Sequence, residues 1–149
     1  MIDIQIVSRV PGIPAKRNFK KWLQSALPAS AELTLRVVNV AEARNLNSAF
    51  RGKDYATNVL TFVYHEKKSP ILTGDIVLCA PVVAREAREQ GKTLLAHYAH
   101  LTIHGALHLA GMDHELEKEA KAMEKREVAL LAALHFADPY ANDGAQITD

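Results

Sequence analysis

Apolar and polar residues alternate in two stretches of the first half of the chain, residues 2–10 and 32–39. This period of two residues is typical of a strand that buries one face. Two further short apolar runs follow turn-forming residues, at 59–64 and 75–80. The hydrophobic pattern therefore predicts four strands.

Elsewhere apolar residues recur every three to four positions, which is the period of an amphipathic helix. Pro14 and Pro81 suit a first helical turn, because the N–H that proline lacks would have no helical partner there. Asn39 followed by Glu42 resembles a capping box, and Thr93 is a candidate N-cap. The five predicted helices cover residues 14–27, 39–50, 81–91, 93–110 and 115–134.

Strands cluster early in the sequence and helices late, which indicates an α+β fold. A chain of 149 residues can bury one core but is too short for two ordinary domains. We expect one domain over residues 1–137 and a frayed polar tail over 138–149. The last helix is expected to turn its Glu and Lys residues outward and these residues inward: Leu116, Ala120, Met123, Leu130, Leu131 and Leu134.

Composition and charge narrow the class of protein. The formal net charge of +1 gives no electrostatic footprint for long nucleic acid, so any RNA contact must use local patches. The single cysteine, Cys79, lies in an apolar run and is expected to pack as a small hydrophobic residue. The N-terminus alternates instead of presenting a continuous apolar region, and no stretch is long enough to span a bilayer. We therefore expect a cytoplasmic protein without a membrane partner.

Five of the seven histidines fall within residues 97–114. His104 and His108 are four residues apart, so on a helix their imidazoles point to the same side. Gly111 can take the left-handed conformation that ends a helix, and His114 follows three residues later. The pattern H-x-x-x-H-x-x-G-x-x-H therefore predicts that three imidazoles converge on one metal ion. Three nitrogen ligands with an open fourth position are typical of catalytic zinc, whereas structural zinc is closed by four protein ligands.

Gly105 distinguishes this pattern from that of a zinc protease. Metzincin proteases carry a glutamate general base directly after the first histidine ligand. Glycine has no proton acceptor, so peptide hydrolysis by that mechanism loses its base. The remaining chemistry is hydrolysis in which the metal does most of the work, phosphodiester hydrolysis included. His97 and His100 share the face of His104 further upstream, and His100 is expected either to rival the ligands or to orient one.

Several blocks of the sequence, taken in order, resemble one family over nearly the whole chain. They are the R-G-x-D-x-x-T-N-V-L block within residues 45–62, the G-D-I at 74–76, the histidine stretch at 97–114, and the pairs at 119–120 and 123–124. Together they resemble the YbeY family of bacterial endoribonucleases, which mature rRNA.

The resemblance implies a helical shell of about five helices over a small mixed four-stranded sheet, with a metal helix like that of zincins. It implies one zinc ion per chain, held by the positions that match His104, His108 and His114. It also implies cleavage of single-stranded RNA in 16S rRNA 3′-end maturation and ribosome quality control, so rRNA and the ribosome are the expected partners. The functional arginine of the family falls on Arg51.

Arg51 and His114 are the expected catalytic residues, and Arg51 is expected to contact the scissile phosphate with its planar fork. Asp75 is a candidate to orient a ligand histidine through the other ring nitrogen. Asp113 could do the same, or cap the last helix, which is the commoner role for such a residue. The nucleophile is either a metal-activated water or the RNA 2′-hydroxyl.

Other polar residues have weaker assignments. Thr57 and Asn58 are expected to hold the backbone of their loop by local hydrogen bonds. Scattered cations are candidates to line an RNA path: Lys53, Arg85, Arg88 and Lys92.

Two further functions fit the sequence. One is a zinc protease that lacks the usual glutamate. The other is a non-catalytic ribosome-assembly factor in which zinc only braces the C-terminal half.

Overall fold

The structure, a computed structural model of the chain, describes residues 1–141. It contains the expected four strands and five helices in the expected order. They are β1 (Ile2–Ile6), α1 (Lys16–Ala26), β2 (Glu32–Val38), α2 (Val40–Arg51), β3 (Val59–Val63), β4 (Thr73–Cys79), α3 (Ala80–Glu89), α4 (Leu94–Leu109) and α5 (Glu117–Ala133).

The four strands form one mixed sheet in the order β1-β2-β4-β3. Strands β1, β2 and β4 run parallel, and β3 pairs with β4 in the antiparallel direction. Strand β3 therefore lies at an edge of the sheet, with one side of its backbone unpaired by any strand of the described chain. The α+β class and the mixed four-stranded sheet are confirmed.

The alternation of side chains along β4 divides the core into two layers. Ile76 and Leu78 belong to the larger cluster, which also contains residues of α1, α4 and α5. Val77 and Cys79 face the opposite way, into a smaller cluster with residues of α2 and α3. Strand β4 is therefore buried on both faces, and Cys79 packs as the small hydrophobic residue that was predicted.

Helix α4 runs through the interior, and every residue from His97 to Leu107 is buried. The predicted cap at its start is confirmed, because Thr93 Oγ1 accepts a hydrogen bond from the backbone N–H of Ala96 at 3.1 Å. A Cβ built at Gly105 would lie 3.0 Å from Ile76 Cγ2. Glycine at this position therefore lets the middle of α4 lie directly against the sheet.

The predicted capping box at the start of α2 is wrong. Asn39 stands at the N-cap position but makes no side-chain cap hydrogen bond. Its Oδ1 instead accepts from the hydroxyl of Ser8 at 2.6 Å. Glu42 accepts from the guanidinium of Arg36 at 2.9 Å. Asn39 thus binds a residue that follows β1, and Glu42 binds a residue of β2. These contacts replace the hydrogen bonds of the capping box.

Two expectations about the C-terminal third are also wrong. Leu116, expected to face inward, precedes α5 and is 64% exposed. Glu127, expected to face outward with the other acids, is fully buried. Met123, Leu130 and Leu131 do face the core as predicted.

The tail predicted to fray was residues 138–149, of which 142–149 lie outside the described residues. Pro139 is buried, and the Tyr140 hydroxyl hydrogen-bonds to Glu127. A frayed tail therefore does not begin at Asp138. Within residues 1–141, no helix combines the length and the apolar character needed to cross a bilayer.

Candidate metal centre

The structure brings His104, His108 and His114 together at one end of α4. His104 and His108 lie one helical turn apart, and their ring centroids are 4.6 Å apart. After α4, Gly111 takes a positive φ of 99° and reverses the chain. His114 then returns to the cluster, with its ring centroid 5.3 Å from that of His104 and 4.9 Å from that of His108.

The donor set of this cluster fits a divalent metal ion. One ligand atom from each histidine lies within 4.8 Å of the others. The Nε2 atoms of His104 and His108 are 3.1 Å apart. Two nitrogens bound to one zinc at about 2.0–2.1 Å with tetrahedral angles would be about 3.3 Å apart. His114 Nδ1 is buried and has no hydrogen-bond partner among residues 1–141.

His108 is kept neutral, the form in which imidazole binds a metal. Burial lowers its pKa, and the neighbouring rings of His104 and His114 lower it further, to about 4. The lone pair of His108 is therefore available near neutral pH without the cost of removing a proton.

Glu127 of α5 is a central residue of the site that the sequence reasoning missed. Its Oε2 accepts a hydrogen bond from His104 Nδ1 at 2.7 Å, and its Oε1 accepts from His100 Nε2 at 2.8 Å. Burial alone would raise the pKa of this carboxyl group, but the hydrogen bonds from both histidines and their charges outweigh burial and set it at about 2. Glu127 is therefore an ionised, fully buried carboxylate beside the cluster.

One signal in the sequence could have revealed Glu127. It lies four residues after Met123 and four before Leu131, on the stripe of α5 that faces the core. A charged residue on an apolar helical stripe is rarely buried without a partner. That partner could have been sought among the histidines of the neighbouring helix.

His100 does not join the three-histidine cluster. Its Nε2 is directed to Glu127, and burial lowers its pKa despite that carboxylate. His100 is therefore not a rival ligand. The carboxylate of Glu127 lies between it and His104. His97 is farther along α4, where its Nε2 bonds to Glu86 at 2.9 Å.

Arg51, the last residue of α2, lies beside the edge strand. Its Nη2 donates a hydrogen bond to the carbonyl oxygen of Thr61 at 3.2 Å. Thr61 is on β3, and its Oγ1 lies 3.3 Å from the position of a Cβ at Gly105, next to His104 on α4. The fold thus brings the arginine of the R-G-x-D block to the strand that borders the histidine helix.

Comparison with known proteins identifies the family of the chain. The family model described as Endoribonuclease YbeY matches residues 7–135. The chain belongs to this family.

Named relatives of the YbeY family align over most of the chain. The Endoribonuclease YbeY of Cupriavidus necator is 55% identical over 92% of this chain and 69% of its own length. That of Polynucleobacter asymbioticus is 54% identical over 94% of this chain and 93% of its own. The fold is similar to the solution structure of TM1509 from Thermotoga maritima, with a TM-score of 0.57 and 25% identity, covering 95% of this chain and 100% of that one.

Of the two acidic residues predicted to assist the ligands of this YbeY-family protein, only Asp113 lies beside one of them. Ile76 faces α4, so Asp75 faces the opposite side of the sheet, where its Oδ2 accepts from the hydroxyl of Tyr64 at 2.7 Å. The prediction that Asp75 orients a ligand is wrong. Asp113 Oδ1 accepts from the backbone N–H of His114 at 2.7 Å and is 4.0 Å from its Nδ1. Asp113 shapes the turn that carries His114, and it does not cap α5, whose N-cap is Leu116.

The remaining polar predictions have mixed outcomes. Asn58 Oδ1 accepts from the backbone N–H of Val59 at 2.7 Å, as expected for a residue that holds its loop. Thr57 beside it is buried. Lys92 is half-buried, and its Nζ donates to the carbonyl of Pro139 at 2.8 Å. The other three candidate cations are exposed: Lys53, Arg85 and Arg88.

A cavity of about 270 Å³ opens beside the cluster. It lies between the histidines and α5, and Tyr140 of the C-terminal segment also lines it. Its lining combines imidazole and carboxylate groups with apolar side chains: His104, His114, Met123, Glu124, Glu127 and Tyr140. A polar group of a substrate can therefore approach the histidines from this side.

Proposed function

We propose that this chain is a zinc-dependent endoribonuclease that cleaves single-stranded RNA during rRNA processing, including 16S 3′-end maturation and ribosome quality control. One zinc ion would be held by His104, His108 and His114, within a single domain. The observation that supports this most is the convergence of three imidazoles with no fourth protein ligand among residues 1–141, in a chain of the YbeY family. The relatives named above are endoribonucleases by description.

The residues of the site have distinct tasks in this reaction. A divalent ion here would supply Lewis-acid stabilisation of negative charge on phosphate oxygens. Arg51 would contact a non-bridging phosphate oxygen with its guanidinium fork and offset the charge that builds there. His114 and His104 border the cavity through which the scissile phosphate would reach the site.

The protease alternative lacks support at Gly105. A Cβ atom at this position would lie 3.0 to 3.3 Å from side-chain atoms of Ile76 and Thr61 in the sheet. A glutamate at the position of the metzincin base would therefore require the side chains of Ile76 and Thr61 to move. A site with this packing is better suited to a substrate whose cleavage relies on the metal and a cation.

The assembly-factor alternative predicts a closed metal site. Structural zinc is bound by four protein ligands, which leaves no position for substrate. Residues 1–141 supply three, and a cavity adjoins two of them. This open arrangement favours a catalytic ion over a bracing one.

The proposed function is tested by offering zinc-loaded and chelator-stripped protein a single-stranded RNA oligomer, the same oligomer in a duplex, and casein. We expect cleavage of the single strand alone, lost on stripping and restored by zinc. Hydrolysis of casein without RNA cleavage would support the protease. Turnover of neither substrate, with a large fall in melting temperature on stripping, would support the assembly factor. Cyclic phosphate ends on the products would identify the 2′-hydroxyl as the nucleophile.

Replacing Arg51 by alanine is expected to slow RNA cleavage about 10²- to 10³-fold, the usual effect of losing one donor to transition-state charge. Zinc content should stay the same, because the three candidate ligands are imidazoles and Arg51 is not one of them. Single-turnover cleavage rates and elemental analysis measure the two effects.

Arg51→Lys is the matched variant for this prediction. It keeps the charge but loses the planar fork, so it should recover only part of the rate. Arg17→Ala removes an exposed arginine of α1 and should cleave like the wild type. Full activity of Arg51→Ala would remove this residue from the mechanism.

A further inference from the structure

The Glu127 carboxylate bridges two histidines that stand one turn apart on α4. Its two oxygens lie 2.7 Å from His104 Nδ1 and 2.8 Å from His100 Nε2. All three side chains are almost wholly buried, so water does not compete for these bonds. The same carboxylate therefore contacts one histidine that belongs to the metal cluster and one that does not.

The two histidines present different ring nitrogens to Glu127, and this decides where their protons lie. An ionised carboxylate only accepts hydrogen bonds, so each nitrogen that faces it carries a proton. In neutral His104 the proton is then on Nδ1, and the lone pair is on Nε2. That Nε2 is the atom that lies 3.1 Å from Nε2 of His108.

His100 has the reverse arrangement. Its proton lies on Nε2, toward Glu127, and its lone pair lies on Nδ1. This Nδ1 is buried and finds no hydrogen-bond partner within residues 1–141. Neither nitrogen of His100 belongs to the three-histidine group. The carboxylate thus separates a ligand histidine from a non-ligand histidine of the same helix face.

Tyr140 holds the carboxylate from the C-terminal side. Its hydroxyl donates to Glu127 Oε1, and its ring packs edge-on against that of His100 with centroids 5.1 Å apart. Its own backbone N–H is fixed by Asp138 Oδ1 at 2.8 Å. Three donors from two parts of the chain therefore fix the orientation of Glu127.

We propose that Glu127 is a positioning residue that selects His104 over His100 as the metal ligand by fixing the tautomer of each ring, and that Tyr140 keeps Glu127 in place. The inference rests on the proposed metal site and is independent of the proposed RNA substrate. Carboxylates that accept from ligand histidines raise metal affinity by orienting the ring and fixing its proton. Here one carboxylate would also exclude a neighbouring histidine from the site.

The test uses Glu127→Gln in the full chain. Glutamine offers one acceptor oxygen and one donor nitrogen, so it cannot accept from both histidines. We expect zinc affinity, measured by competition with a chromophoric chelator, to fall about 10- to 100-fold. Tyr140→Phe keeps the ring and loses one hydrogen bond, and should lower the affinity about fivefold. Glu119→Gln, an exposed change on the same helix, should leave it unaltered.

Nitrogen-15 spectra of the histidine rings in metal-free protein supply a second readout, which a purely structural role of Glu127 would not alter. The wild type should show His104 protonated on Nδ1 and His100 on Nε2, and Glu127→Gln should change the protonated nitrogen of at least one ring. His104 protonated on Nε2 in the wild type would overturn the proposal. So would a Glu127→Gln variant that binds zinc within twofold of the wild type. Neither measurement involves RNA, so absence of RNA cleavage would count against the proposed function alone.

Discussion

Replacing His108 by alanine is expected to abolish both metal binding and RNA cleavage. His108 contributes one of three imidazoles, and its Nε2 lies 3.1 Å from that of His104. Two nitrogens cannot replace the three-ligand frame of a catalytic zinc site, so the ion is lost at ordinary concentrations. Elemental analysis should show about one zinc per chain in the wild type and almost none in the variant, whose cleavage should match that of stripped protein.

The fold of the His108→Ala variant should survive. The pKa of His108 is about 4, so the residue is neutral near pH 7 and its removal leaves no buried charge unpaired. Alanine also suits the interior of a helix. The melting temperature without metal should therefore stay close to that of metal-free wild type. His135→Asn removes a histidine outside the cluster at a positive φ that asparagine tolerates, and should retain zinc and activity. A His108→Ala protein that kept its zinc and its cleavage rate would refute the three-histidine site.

Replacing Gly74 by alanine is expected to give the largest loss of stability of any change considered. A Cβ at this position would overlap the backbone oxygen of Phe62 and Cδ1 of Leu109, well inside the 3.0 Å that real Cβ atoms respect. Strand β4 is paired on both sides, so it cannot shift to make room. We expect a loss of about 3 kcal/mol or more in the free energy of unfolding. Thermal unfolding followed by circular dichroism should show a fall of about 10 °C.

Gly52→Ala is the matched control for Gly74→Ala. Gly52 has a φ of 69° and no atom within 4 Å of an added Cβ, so only backbone strain opposes the change. The cost should be about 1 kcal/mol. Equal destabilisation by the two variants would show that the contact between β4, β3 and the end of α4 is looser than described. Leu109 follows His108 directly, so Gly74→Ala should also weaken zinc binding, and Gly52→Ala should not.

The three-histidine cluster could be predicted because its geometry is local. His104 and His108 are related by one helical turn, and Gly111 brings His114 back within six residues of His108. Helical periodicity and the conformational freedom of glycine therefore sufficed. The order of strands and helices followed from periodicity in the same way, and Thr93 caps α4 as its position indicated.

Long-range packing set the limit of prediction from the sequence. Glu127 meets His104 across 23 residues, because α5 packs against α4, and no local pattern fixes that pairing. Asp75 was misplaced for a related reason. Its neighbour Ile76 is buried, and the sequence of a strand buried on both faces does not indicate which face looks toward a given helix. The role expected for Glu42 failed because Arg36, on an adjacent strand, is a stronger partner than the helix end.

The three imidazoles differ in the kind of backbone that carries them. His104 and His108 stand on a helix whose interior position holds them before any ion arrives, whereas His114 belongs to the connector formed by residues 110–116, outside any helix or strand. An arriving ion thus meets two nitrogens already in place, and the entropy lost on capture falls mainly on one short connector. The side chain of His114 is also 35% exposed, so its bond to an ion would be the one most accessible to water and competing ligands. The rate of metal exchange should therefore respond more to substitutions in this connector than to substitutions on α4 that leave His104 and His108 in place.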